Sequence, residues 1–210
     1  MASSQRYREL CARLRKLRSH FMPRVFSPTG TYDDRLLDRA RAYRLLAHAE
    51  IEAFVEDIAK AAVIKRLSEW KNKRTPSQLI ISFLASYHAG FAADENDAST
   101  MPVTSRPFPK ERIDDVIEKA TIQYMNRIAE NHGVRADNLR RVFLPVGVDF
   151  DALDQTWLTA IDEFGKRRGE VAHKTIGAQQ AIDPKTEYQN IQVLLLGLKE
   201  LDAVVIGLAQ

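Results

Sequence analysis

The stretch FGKRRGEVAHKTIG, Phe164 to Gly177, sets two arginines ahead of a histidine. An imidazole takes and gives a proton near neutral pH without special help. A guanidinium presents a fork of donors that fits phosphate oxygens two at a time. Arg168 and His173 therefore have the makings of proton transfer beside an anionic centre. Their spacing limits how they cooperate. Five residues of ideal helix turn through about 500°, which leaves the two side chains about 140° apart. Gly169 can relax the run locally, and an arginine is long, so both can still line one groove. The run reads as a helix that breaks and restarts at glycine. Such pairs also occur by chance, and on spacing alone His173 reads as a packed helix histidine.

Other chemistry is hard to find. The chain has no Gly-rich phosphate loop, no GxSxG, no HExxH and no conspicuous carboxylate pair. The five histidines, His20, His48, His88, His132 and His173, never stand four apart, so a helical metal pair is missing. No metal and no cofactor is expected. One cysteine, Cys11, excludes an internal disulfide framework and a Cys-based zinc cluster, which fits a reducing, cytoplasmic setting. No apolar run is long enough to span a bilayer, and the Arg-rich start has no apolar core behind it, so neither membrane insertion nor a signal peptide is expected. The net charge of +3 and an isoelectric point near 9.0 permit a polyanionic partner without requiring one.

The elements that must hold Arg168 and His173 read as helices. The 210 residues suffice for one sizeable domain, and 9 glycines and 8 prolines are too few for a turn-rich β fold. RYRELCARLRKLR (6–18) places Tyr7, Leu10, Leu14 and Leu17 at helical spacing beneath a basic face. That face is either solvated surface or a patch for nucleic acid. PRVFSPTGTYDD (23–34) reads as a linker. A long helix follows from about Asp34 to Asn72, with Leu37, Tyr43, Leu46, Ile51, Phe54, Ile58, Ala62 and Leu67 as its stripe. Thr75, Pro76 and Gln78 form a start signal for a helix to about Phe91. Residues 93–109 read as a surface loop. Helices are expected from about Lys110 to Asn131, stopping at His132-Gly133, and over 136–143. Asp149 or Asp151 should cap the helix of Leu153, Trp157, Ile161 and Phe164. Asp183-Pro184 should start the last helix, with a stripe of Ile191, Leu194, Leu195, Leu198, Leu201 and Val205. The chain reads as all-α, six or seven helices in one bundle, with residues 1–32 as a basic helix and linker and 33–210 as the main domain.

RRGEVAH (167–173), before a final apolar helix, resembles the signature of the HEPN superfamily, in which four to six residues separate an arginine from a following histidine. The RAYRLLAHAEIEAFVEDIA block (41–59), with its His-Ala-Glu-x-Glu core, resembles an early helix of the RiboL-PSP-HEPN and MAE-28990-like branch. Residues 131–173 have the look of the same branch, so the three blocks cover 41–173 in order. The resemblance implies a HEPN-type helical bundle and a metal-independent endoribonuclease that uses RNA's own 2′-hydroxyl as nucleophile. It also implies a homodimer and a role as toxin or phage-defence effector, with an antitoxin or other defence protein as a partner. Arg168 and His173 would be the catalytic residues. Arg167 and Lys174 would position phosphate or lie on the surface, and Glu50 would either orient the catalytic groups from behind or form part of a salt-bridged face. Active members usually carry Asn, Asp or His after the arginine, where this chain has Gly169. The alternative is therefore a non-catalytic HEPN module that binds RNA or a protein.

Overall fold

The computed structural model describes residues 3–87, 112–173 and 181–209, and for Glu170, Ala172 and His173 the backbone alone. The described residues form seven helices and no strand: α1 (Gln5–Phe21), α2 (Asp34–Lys73), α3 (Gln78–Tyr87), α4 (Ile113–Ala129), α5 (Ala136–Phe143), α6 (Gln155–His173) and α7 (Pro184–Leu208). The fold is all-α, as the helical periodicity requires.

α2 is the axis, and α1, α3, α5, α6 and α7 all pack on it. Its buried stripe is Ala40, Tyr43, Ala47, Ile51, Phe54, Ile58 and Ala62, while Leu46 faces outward. Alanines in that stripe let neighbouring helices approach closely. α1 begins at Ser4, whose hydroxyl accepts the Tyr7 amide at 2.9 Å. Its Tyr7, Leu10, Leu14 and Leu17 are buried in the common core. The basic face of α1 is partly answered by α2: Arg6 pairs with Asp57 at 2.7 Å and Arg13 with Glu50 at 2.8 Å. The linker is tied down where the Arg18 guanidinium lies 5.5 Å from the Phe26 ring and 5.4 Å from the Tyr188 ring.

Several boundaries differ from the sequence reading. α3 starts at Gln78, and the Ser77 hydroxyl, not Thr75, accepts from the Ile80 amide at 3.3 Å. Arg74 closes α2 in a left-handed conformation, φ 55°, so Thr75 and Pro76 belong to the connection. α4 ends at Ala129, and Gly133 does not take up the left-handed conformation of a glycine cap. α6 is capped by Asp154, whose carboxylate accepts from Thr156 at 2.8 Å and Trp157 at 3.3 Å, while Asp149 closes a local turn onto the Asp151 amide. Three aspartates in six residues can all cap a helix, and only Asp154 does so here. α6 then runs without a break through Gly165 and Gly169. α7 starts at Asp183 as expected, its carboxylate accepting from Thr186 at 2.9 Å. The expected end of α3 near Phe91, the 93–109 loop and Lys174 lie outside the described residues.

Candidate active site

α6 carries the Arg-His pair, and three contacts fix its position. Trp157 is buried and donates its indole N–H to the Leu194 carbonyl at 3.1 Å. Its ring lies on Gly197, where an added Cβ would come within 2.3 Å. Near the middle, Gly165 admits Arg135 of the α5 start, which would lie 2.7 Å from a Cβ there. Asp162 takes two hydrogen bonds from the Arg135 guanidinium, at 3.1 and 3.3 Å, and one from the Ala136 amide at 3.2 Å. The arginine beside it holds the Asp162 carboxyl below the usual aspartate range.

The third contact is a buried ion pair next to the motif. Arg44 of α2 is 5% exposed and Glu187 of α7 is 3% exposed. The guanidinium grips the carboxylate at both oxygens, at 2.7 and 2.5 Å. Its remaining nitrogen reaches the Arg167 carbonyl at 3.5 Å. One arginine thus joins α2, α6 and α7 immediately before Arg168. One turn further along α2, His48 is buried with its ring stacked 5.7 Å from Phe164 of α6. Its Nδ1 stands 3.5 Å from a Glu52 carboxylate oxygen and has no hydrogen bond to a described residue.

Arg167 and Arg168 are both half-buried. Arg167 lines a cleft of about 560 Å³ between α6 and α7, together with Thr159, Glu163, Phe164, Glu187 and Asn190. Its Nε is buried without a hydrogen-bond partner among the described residues. His173 is the last residue of α6, on the same continuous helix as Arg168. Glu50 is not brought to this region. It is held by Arg13 of α1, and two residues of helix turn it about 200° away from His48, which faces α6. Among the described residues no group of three His, Cys, Asp or Glu side chains could hold a metal ion. No helix among them is long and apolar enough to cross a membrane.

Sequence reasoning missed Arg44 and Glu187, although a signal existed. Arg44 falls on the α2 stripe with Ala40, Tyr43, Ala47 and Ile51, and Glu187 on the α7 stripe with Ile191 and Leu194. A lone charge on an apolar stripe needs a buried partner, and here two lone charges of opposite sign answer each other.

No curated protein and no solved structure matches the chain. A family model does, across residues 11–206, from the second turn of α1 almost to the end of α7. It takes in the three blocks that carried the resemblance and every contact that fixes α6, and the chain belongs to the RiboL-PSP-HEPN family.

Proposed function

We propose that this protein is a metal-independent endoribonuclease in which Arg168 and His173 act on one phosphodiester of RNA. The observation that carries the reading is an Arg-x4-His sequence on a single braced helix, in a chain of this family. The 2′-hydroxyl oxygen attacks the adjacent phosphorus, and the bond from phosphorus to the 5′-oxygen breaks. His173 takes the proton of the 2′-hydroxyl and hands it on to the departing 5′-oxygen, and the Arg168 guanidinium holds the charge that develops on the phosphate oxygens. No metal is needed to make a nucleophile, because the substrate already contains it. General acid–base catalysis supplies roughly 10²–10⁴-fold, and a donor aimed at developing charge about 10²–10³-fold. Arg167, half-buried and lining the adjoining cleft, suits a neighbouring phosphate. A homodimer acting in the cytoplasm as a toxin or phage-defence effector, held in check by an antitoxin or another defence protein, is the setting that fits this chemistry.

One observation favours a second reading. Gly169 offers no side chain where active HEPN proteins usually have a polar one, which suits a module that binds RNA or a protein without cutting. Incubation of purified protein with RNA in EDTA separates the two. Cleavage leaving 2′,3′-cyclic phosphate or 3′-phosphate ends is expected, with loss of activity in His173→Ala and a stability change on the order of 1 kcal/mol. Intact RNA retained on the wild-type protein would favour the binding module. Magnesium-dependent cuts with 3′-hydroxyl ends would reject the mechanism.

A further inference from the structure

A second cleft, of about 440 Å³, opens between the start of α1, the middle of α2 and the end of α7. Ile58, Ala62, Val205 and Ala209, all buried, give it apolar walls. Among those walls lies a carboxylate. Asp202 is 0% exposed. One of its oxygens accepts the Ser4 amide at 2.8 Å, at the N-terminus of α1, where the helix dipole favours negative charge. The other oxygen, Oδ1, is equally buried and has no donor among the described residues. A buried acceptor that has given up water and gained no partner costs free energy, more so when it is charged.

The neighbouring cations among the described residues do not meet that need. The Arg6 guanidinium is engaged by Asp57 at 2.7 Å. Lys65 lies exposed on the cleft lining and makes no bond to Asp202. An anion is the wrong charge for the floor. A metal ion would find the free Asp202 oxygen and Asp57, whose carboxylate is already held by Arg6, far short of a coordination shell. The complement of a single anionic oxygen set in apolar walls is a compact cation on an apolar stem. An ammonium brings three donors on a small head, and an alkyl chain behind it covers aliphatic side chains.

We propose that the α1–α2–α7 cleft is a binding site for a primary alkylammonium, its charged head on Asp202 Oδ1 and its chain along Ile58, Ala62 and Val205. This site shares no residue with Arg168, His173 or the α6–α7 cleft, so it stands or falls apart from the ribonuclease reading. The 210-residue protein is titrated with n-butylammonium and with its neutral twin n-butanol, following amide resonances by NMR. The Ser4 amide, bonded to the same carboxylate, is the reporter. Saturable shifts are expected at Ser4 and along the cleft. The amine should bind at least about tenfold more tightly than the alcohol, as a hydrogen bond to a charged group is worth. Asp202→Asn can still accept the Ser4 amide and should abolish the preference for the amine. Ala61→Leu fills the cleft from an exposed position on α2, leaves the carboxylate intact, and should weaken both ligands. Equal binding of amine and alcohol, an unchanged amine affinity in Asp202→Asn, or no saturable shift in the wild type would each overturn the proposal.

Discussion

Gly169 is the residue that separates the two proposed readings. It lies inside α6, where glycine costs roughly 0.5–1 kcal/mol relative to alanine. An added Cβ there meets nothing within 4 Å among the described residues. Gly169→Ala should therefore raise stability by about 0.5–1 kcal/mol in denaturant unfolding. Gly169→Asn tests the chemistry, because it restores a polar group beside Arg168 at a position with room for it. If the missing side chain limits catalysis, the asparagine variant should cut RNA faster than wild type while Gly169→Ala does not. Equal rates in all three would mean that the backbone or another residue already does this work. The departure from the usual pattern was legible in the sequence, but the open space around Gly169 was not, because it depends on which face of α6 meets its neighbours. Glu50 illustrates the reverse case. Its place in a family block suggested a role near the motif, and its ion pair with Arg13 puts it on the α1 side of α2.

Helix α6 is held by its neighbours at the level of elements, and the brace next to the motif is electrostatic. Arg44 and Glu187 are both buried, so removing one partner strands the other. Arg44→Met or Glu187→Gln alone should destabilise the fold by about 3–5 kcal/mol, and Arg44→Met combined with Glu187→Leu should recover most of that loss. Urea unfolding of the three variants measures the coupling, and additive losses would show that the pair is not the unit that matters. The double variant should still lose cleavage activity, because the Arg167 carbonyl has lost its anchor. The docking of α5 makes a pH prediction. Asp162 ionises more easily in the fold than in the unfolded chain because Arg135 and the Ala136 amide favour its charged form. Its contribution is therefore fully present above the unfolded aspartate value, near pH 4, and is lost as pH falls through the lower folded value. Asp162→Asn should cost up to about 1 kcal/mol at pH 7, with the gap to wild type closing below about pH 4. A gap constant from pH 7 to pH 3 would rule out the carboxylate's charge as its cause. Helix positions along this chain were readable because apolar spacing alone sets them. The caps of α3 and α6 were not. Ser77 competes with Thr75, and Asp154 with Asp149 and Asp151, on equal local chemistry, and tertiary packing chooses.

The whole molecule poses a geometric problem for the proposed reaction. Side chains five residues apart on a continuous helix point about 140° away from each other, and α6 has no break between Arg168 and His173 to bring them together. A single chain is poorly built to set both on one phosphate. A two-fold axis beside α6 removes the difficulty, since it presents the same patch twice and lets each groove take its arginine from one chain and its histidine from the other. The last helix has residues for both duties. Ile191, Leu194, Leu198, Leu201 and Val205 are spent on the chain's own core. Val193, Leu196 and Val204, at 49%, 67% and 39% exposure, remain on its outer face. Val193 also lines the cleft that Arg167 shares. That face is apolar enough to contribute to an interface. The two duties of α7 could not be separated from sequence, because its apolar residues run almost all the way around the helix. Subunit exchange gives the decisive measurement. Arg168→Ala and His173→Ala proteins should each be inactive. Mixed under conditions that exchange subunits, they form heterodimers in which one groove takes an intact arginine and an intact histidine from opposite chains. At equal concentrations and with random exchange, about half of the dimers are mixed. Each mixed dimer holds one restored groove of two, so cleavage should return to about a quarter of the wild-type rate per chain. Exchange verified by mass spectrometry with no return of cleavage would reject the composite site, and a monomer in sedimentation at the assay concentration would reject it before any mixing.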